Sequence, residues 1–291
     1  MAFAVRQGRL AACLALLGLG AMCFSLLAPA AAQDAPPVTA VASDWIAGHK
    51  SRTRLTAGAV ANQHYAFVEI ELAEGWKTYW RSPGDSGIPP RFEFGKSKNL
   101  ASATVLYPAP KRITDKGETI VGYTGTVILP VLLSAADPAK PIELAADVQF
   151  GMCKDICVPT EAALTLSIPA DAATELSGEA LASLARVPHT SADLAPSDPR
   201  LDAVATGAKT GPKKLSLSVA FPAGTAGADA FLEGPGGLYL PLLAKTSEDG
   251  TRVTFEADLS KDVDLAALTG KSIAVTLVSD AGATETSFKF E

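Results

Sequence analysis

Two runs of alternating apolar residues enclose a short polar break near the middle of the chain, and this pattern limits the possible folds more than any other. The first run is Leu144–Phe150 and the second is Ala163–Ile168. Apolar residues recur at every second position in both runs, which is the period of a β-strand with one buried face. The pattern therefore predicts two strands joined by a loop, in the form of a hairpin.

The polar break contains Cys153 and Cys157, with three residues between them. At the mouth of a hairpin the two residues would satisfy the Cα separation of roughly 4.4–6.8 Å that a disulfide requires. A loop this short gives a disulfide only about 2 kcal/mol in the chain-entropy model, and a chain of this length can bury adequate cores without a staple. We therefore interpret the pair as a redox couple, with a structural clip across the hairpin as the alternative.

The first part of the chain is rich in short runs of β-branched and aromatic residues, which glycine and proline interrupt. Several short strands at this spacing, without helices between them, predict an all-β sandwich over residues 51–170. The predicted strands are Arg54–Val60, Tyr65–Leu72, Lys77–Trp80, Arg91–Phe94, Ala101–Leu106, Thr126–Leu133, Ile142–Phe150 and Glu161–Ile168.

Residues 171–200 differ from this pattern. Leucines at helical spacing predict one amphipathic helix over Asp171–Arg186, and three prolines in Val187–Arg200 predict a linker. A second strand-rich region, residues 201–291, predicts a second β-sandwich without a cysteine or histidine. Its predicted strands are Leu215–Phe221, Ala230–Glu233, Leu238–Leu243, Arg252–Ala257, Ile273–Val278 and Thr286–Phe290.

The N-terminus has the order of a secretory signal peptide. Arg6 and Arg9 precede the apolar run Leu10–Leu27, and small residues end the segment. We expect residues 1–32 to be cleaved, which leaves 33–50 as an N-terminal arm of an exported, periplasmic protein.

Cleavage would also remove Cys13 and Cys23, so that Cys153 and Cys157 would be the only remaining thiols. Loss of the two arginines would change the formal net charge from −6 to −8. An acidic chain without a basic cluster is a poor nucleic-acid binder. No later stretch has the length and apolarity of a membrane span, so none is expected in the mature chain.

The chemistry of other residue types is sparse. The three histidines are scattered, and HExxH, P-loop and dinucleotide-binding motifs are absent from the sequence, so no cofactor is expected. Next to the thiols, Lys154 favours a thiolate while Asp155 opposes it, which suits a couple that works with a dedicated partner. Met152 beside the two cysteines leaves open a Cu(I) site made of three soft ligands.

The segment Gly75–Gly87 is dense in aromatic residues, with Trp76, Tyr79 and Trp80 ahead of a turn-rich loop. These rings could pack in the core at the end of a strand. They could also form a wall or a partner-docking surface near the cysteines, because aromatic residues are common anchors of interfaces.

Several motifs in order resemble the N-terminal periplasmic domain of the DsbD family of thiol:disulfide interchange proteins, in its ScsB-like branch. They are Gly75–Gly87, Gly122-Tyr123, Leu129-Pro130-Val131 and Cys153…Cys157-Val158-Pro159, within about residues 45–170. The resemblance implies an immunoglobulin-like sandwich for the first β domain, and we expect an immunoglobulin-like sandwich for the second β domain too.

The resemblance also implies a function. The domain would be a thiol:disulfide oxidoreductase that receives electrons from a membrane partner and reduces periplasmic thioredoxin-like proteins. Cys153 and Cys157 would be its redox pair, in which Cys157 forms the mixed disulfide and Cys153 resolves it. A Cu(I)-binding or copper-tolerance module, and an immunoglobulin-like interaction domain with a structural disulfide, are the alternatives.

Three departures from the family pattern affect these expectations. The spacing between the two cysteines is shorter than in the well-known DsbD arrangement. The membrane and thioredoxin domains of the family have no counterpart in the sequence, so the electron donor would be a separate protein. The loop that caps the disulfide in DsbD corresponds roughly to Ile113–Gly122, which has no aromatic residue. We therefore expect shielding or docking by Trp76, Tyr79, Trp80 or Tyr123, or shielding by Ile120 and Val121.

Overall fold

The computed structural model describes residues 41–84, 87–115, 117–170, 176–207 and 213–291. These residues belong to one compact unit, Val38–Glu291. The predicted signal peptide, together with the first part of the predicted arm, lies outside the described residues. Within the described ranges, no helix has the length and apolarity needed to cross a bilayer.

The first half of the described chain forms a sandwich of two sheets. One sheet has the order β1-β3-β4-β10-β7 with β2 beside β3, and the other has the order β12-β11-β5-β9-β8 with β6 beside β11. The strands are β1 Val41–Ala42, β2 Ile46–Gly48, β3 Ser51–Val60, β4 Gln63–Leu72, β5 Lys77–Tyr79, β6 Arg91–Glu93, β7 Leu100–Val105, β8 Lys111–Asp115, β9 Glu118–Thr124, β10 Thr126–Ala135, β11 Ile142–Cys153 and β12 Cys157–Ile168.

The core of this sandwich follows from the period-two pattern. On β11 every second side chain from Ile142 to Phe150 is buried, and on the facing sheet Val68 and Leu129 are buried against them. Burial of one large apolar side chain is worth about 1.5–3 kcal/mol. The predicted hairpin is present as a continuous antiparallel ladder between β11 and β12.

The second half forms a second sandwich with its own core, which includes Leu217, Phe255 and Val275. Its sheets have the orders β13-β20-β19-β16 and β14-β15-β18-β17. The elements are α1 Gly178–Leu184, β13 His189–Thr190, β14 Arg200–Thr206, β15 Lys214–Ala220, β16 Asp229–Glu233, a 3₁₀ turn Pro235–Gly237, β17 Ala244–Asp249, β18 Arg252–Asp258, α2 Leu265–Leu268, β19 Ser272–Ser279 and β20 Gly282–Lys289. The prediction of an all-β sandwich fold is confirmed.

The short elements β1, β2, β13, β14 and α2 were not predicted, and three further elements differ from the sequence prediction. The expected helix is only α1, capped where the side chain of Ser177 accepts a hydrogen bond from the backbone of Ala180, and residues 171–175 lie outside the described ranges. The strand predicted over Leu238–Leu243 is wrong. That segment is irregular, since Pro241 cannot donate to a ladder, and the strand follows it as β17.

The third difference concerns the segment Ile113–Gly122, which was expected to be a loop. It belongs instead to the antiparallel hairpin of β8 and β9, with Ile113 directly opposite Ile120. The β-branched residues of this segment explain the hairpin, because they favour extended backbone.

Two bidentate ion pairs connect the sandwiches. The Nε and Nη2 atoms of Arg81 donate to the two carboxylate oxygens of Glu233, at 2.8 and 2.7 Å. Arg112 on β8 binds Asp229 on β16 at 3.0 and 2.8 Å. The second sandwich therefore holds β8, a strand that reaches the cysteines.

Candidate functional site

Cys153 and Cys157 form the last residue pair of the β11–β12 ladder, directly opposite each other. Three residues close the hairpin between them, where the backbone nitrogen of Lys154 donates to the carbonyl oxygen of Ile156 at 3.2 Å. Both sulfurs are free thiols. Because Cβ atoms of opposed residues lie about 4.5–5.5 Å apart, little movement separates the thiols from a disulfide, whose Cβ atoms are about 3.5–4.5 Å apart.

The two thiols differ in their exposure. Cys153 is buried, with 4% of its surface accessible, whereas Cys157 is exposed. The neighbouring Ile156 is 65% exposed at the tip of the hairpin. A large reactant can therefore reach Cys157 but not Cys153.

Tyr79 on β5 is the aromatic residue closest to this chemistry. Its hydroxyl oxygen lies 2.9 Å from the sulfur of Cys157. Glycines make room for the ring: a Cβ on Gly151 would lie 2.9 Å from it, and one on Gly87 would lie 2.7 Å from it. The positive φ of Gly87, 154°, is also one that a residue with a side chain rarely adopts.

The surroundings shift the pKa of the Tyr79 hydroxyl and of the Cys153 thiol. Burial raises the pKa of Tyr79 well above its usual range, and hydrogen bonds to the two thiols raise it further. Burial also raises the pKa of Cys153, as does the hydrogen bond with Cys157, while the hydrogen bond from Tyr79 and the charge of Lys77 lower it. Tyr79 thus remains a protonated donor that can stabilise a thiolate.

The β8–β9 hairpin covers the buried thiol. Ile120 and Ile113 pack with Cys153 and Tyr79 in a small apolar cluster, separate from the main core. These side chains lie on the outer face of their sheet. The hairpin is therefore an aliphatic cover, in place of an aromatic one.

An ion pair shows that this hairpin bends back across the sheet. The amine of Lys77 lies 3.2 Å from the carboxylate of Asp115. Lys77 is opposite Thr124 of β9, whereas Asp115 is opposite Glu118, which lies six residues before Thr124 on the same strand. Six residues span about 20 Å of flat strand, so the contact requires the end of the hairpin to fold over β5.

The four aromatic residues expected to shield the pair have different locations. Only Tyr79 lies at the cysteines. The ring of Trp80 is 1% exposed and packs edge-on against Phe231 at 5.9 Å, on the core side. Tyr123 donates to the carbonyl oxygen of Pro108 at 2.7 Å, and Trp76 meets the ring of His49 at 5.2 Å.

The alternation of β11 also separates the three soft ligands of the alternative Cu(I) set. Met152 is completely buried in the main core, whereas Cys153 belongs to the cluster on the opposite face. The structure therefore does not bring Met152 together with the two thiols. Among the described residues, no group of three or more histidine, cysteine, aspartate or glutamate side chains is arranged to hold a metal ion.

Sequence reasoning missed Lys77, Asp115 and the glycine contacts of Tyr79. Alternation along Lys77-Thr78-Tyr79 could have placed Lys77 and Tyr79 on one face of a strand. Their position beside Cys153 required the register between β5 and β11, in which Cys153 is opposite Lys77.

Comparisons with known proteins identify a family and a similar fold. The family model for the N-terminal region of the thiol:disulfide interchange protein DsbD matches residues 44–169. The crystal structure of the N-terminal periplasmic domain of ScsB from Proteus mirabilis has a similar fold, with a TM-score of 0.64 and 20% identity. The similarity covers 87% of this chain and 99% of that one. No curated protein sequence matches the chain.

Proposed function

Residues 44–169 belong to the DsbD N-terminal family, whose general role is thiol–disulfide exchange, and on this premise we propose that Cys153 and Cys157 are the exchanging pair of this chain. The protein would pass electrons from a separate membrane reductant to periplasmic thioredoxin-like partners. It would act as a thiol:disulfide oxidoreductase of the protein-disulfide reductase type.

One observation carries the proposal. The two thiols are a direct cross-strand pair, of which one is exposed and the other is buried. A bond that only stabilises the fold needs neither an exposed sulfur nor a donor beside it, and the hydroxyl of Tyr79 lies 2.9 Å from the sulfur of Cys157. Exchange needs both, because an incoming disulfide must reach one sulfur and thiolate charge must be stabilised.

The proposed reaction begins with the thiolate of Cys157. It attacks one sulfur of the partner's disulfide, forms a mixed disulfide and releases the partner's other sulfur as a thiolate. Cys153 then attacks the sulfur of Cys157. The Cys153–Cys157 disulfide forms, and the partner leaves with both of its sulfurs reduced. Two electrons pass to the partner, and the proton of Cys153 goes to the departing thiolate.

The positions of the thiols support this division of roles. Cys157 is exposed and can meet a partner, whereas Cys153 lies under Ile113 and Ile120 and can reach only its neighbour. The membrane reductant would later reverse the reaction, by attack on the disulfide of the oxidised domain.

The first test is the reduction potential of the purified exported chain. Thiol trapping across a gradient of reduced and oxidised glutathione gives the midpoint. We expect a midpoint above about −300 mV, in the range where the glutathione pool can open the bond. A midpoint well below that value would contradict the proposal and favour a structural clip.

A further inference from the structure

Lys77 stands out among the charged residues near the thiols because it is almost completely buried, with 5% of its surface accessible. It lies directly opposite Cys153 in the pairing of β5 with β11, so both side chains project from the same face. A buried ammonium is expensive without a partner, and its partner is the carboxylate of Asp115 at 3.2 Å.

The carboxylate that pairs with this buried ammonium is itself not buried. The side chain of Asp115 is 44% exposed, on the hairpin that folds over the site. Water therefore screens the carboxylate more than it screens the ammonium. Cys153 has Lys77 and Tyr79 of β5, Cys157 of β12 and Ile120 of β9 as neighbours on the outer face of the sheet. Asp115 of β8 contacts the amine of Lys77.

We propose that Lys77 is a positioning residue for the exchange reaction, whose charge stabilises the thiolate of Cys153, and that Asp115 limits this effect. The inference deepens the function proposed above and rests on it. Cys153 must lose its proton before it can attack the mixed disulfide at Cys157. Burial opposes that loss, and the charge of Lys77 favours it.

The experiment measures the alkylation of Cys153 by iodoacetamide as a function of pH. It uses the full exported chain with Cys157→Ser, so that one thiol reacts, and the pH midpoint reports thiolate formation. We expect Lys77→Met to raise the midpoint and to slow alkylation near neutral pH by about three- to tenfold. Asp115→Asn should lower the midpoint, because the anion of Cys153 then compensates the lysine alone.

Shifts of the alkylation midpoint in opposite directions distinguish an electrostatic effect of the ion pair from a purely structural one. If the ion pair only held the β8–β9 hairpin closed, both substitutions would open the cover, accelerate alkylation and lower the midpoint, because burial is the main cause that raises the pKa of Cys153. Lys77→Arg keeps the charge and should retain the midpoint. The matched control is Lys154→Met. From the sequence this lysine was expected to favour a thiolate, but its amine lies beside Gly75, and Lys77 is the lysine whose charge acts on Cys153, so no shift is expected.

An unchanged midpoint in Lys77→Met, or shifts of the same sign in Lys77→Met and Asp115→Asn, would overturn the inference. Circular dichroism checks the fold of each variant. If Lys77→Met does not fold, Asp115→Asn decides: a lower midpoint with an unchanged alkylation rate of the fully ionised thiol at high pH supports the inference, and an equal or higher midpoint, or a faster rate at high pH, contradicts it. The probe is a small alkylating agent, so this result is independent of whether any protein partner exchanges with Cys157.

Discussion

The hydroxyl oxygen of Tyr79 lies 2.9 Å from the sulfur of Cys157, the exposed member of the thiol pair. The ring occupies a space that glycines leave open on the outer face of the sheet. The tyrosine can donate to whichever sulfur carries charge, because its own pKa is raised far above the working range, chiefly by burial. The pair therefore has a fixed donor in a partly apolar site.

Removal of that donor should slow thiolate chemistry. Tyr79→Phe keeps the ring and deletes the hydroxyl, so the pKa of Cys153 should rise further. A hydrogen bond to a charged group is worth about 1.5–3 kcal/mol, and we expect a decrease of roughly tenfold or more in the rate of exchange with glutathione. Stopped-flow measurement at neutral pH tests this. An unchanged rate would mean that the hydroxyl does not act on the thiols.

The space under the Tyr79 ring should also be required. In Gly151→Ala the new methyl group would lie 2.7 Å from the side chain of Ile88 and 2.9 Å from the ring. Overpacking of this kind costs about 1–3 kcal/mol, so the free energy of unfolding in urea should fall by that amount and exchange should slow.

Gly95→Ala is the matched control for this substitution, because nothing lies within 4 Å of a Cβ at Gly95. Its stability should stay within about 0.5 kcal/mol of the wild type. Equal losses in the two variants would show that the Tyr79 packing is not responsible.

The stability of the reduced protein should depend on pH in a way that the oxidised protein does not share. Burial raises the pKa of Cys153 in the folded state, so folding favours the protonated thiol. The protonated thiol therefore contributes to the free energy of unfolding. Its contribution is complete below the pKa of about 8.5 that Cys153 has in the unfolded chain, and it is lost as the pH rises through the higher pKa of Cys153 in the folded protein. Unfolding of both redox forms in urea, from about pH 7 to pH 9.5, tests it. Parallel curves would contradict the prediction.

The tip of the hairpin should contribute to recognition of a protein partner. Ile156→Asn changes a side chain that is 65% exposed without adding a charge beside Cys157, so stability should change by less than about 0.5 kcal/mol. Exchange with a thioredoxin-like protein should slow, while exchange with glutathione should not. Val60→Asn, at an exposed position on β3, is the control and should affect neither. Equal slowing with both substrates would argue against docking.

Alternation of apolar residues was enough to predict the strands that carry the thiols. Phe150 and Leu164 are buried where the period-two pattern places them, and the hairpin brings Cys153 opposite Cys157. Local pattern succeeds here because a one-residue slip of register would expose the whole apolar set.

The composition of the site could not be predicted in the same way. Trp80 and Tyr79 are adjacent in sequence, yet they lie on opposite faces of the sheet, and only the position of the core decides which faces the cysteines. The contact between Lys77 and Asp115 depends on the bend of the β8–β9 hairpin. Such a bend comes from tertiary packing, which has no local signal in the sequence.

The most direct test of the account is the capture of a mixed disulfide. Reduced Cys153→Ala and Cys157→Ala variants are each mixed with an oxidised thioredoxin-like protein that carries a Cys-x-x-Cys disulfide, and the products are resolved on a non-reducing gel. The account predicts that Cys153→Ala accumulates a covalent complex through Cys157, and that Cys157→Ala does not. A complex through Cys153 alone, or no complex from Cys153→Ala although its remaining thiol reacts with glutathione, would contradict the account.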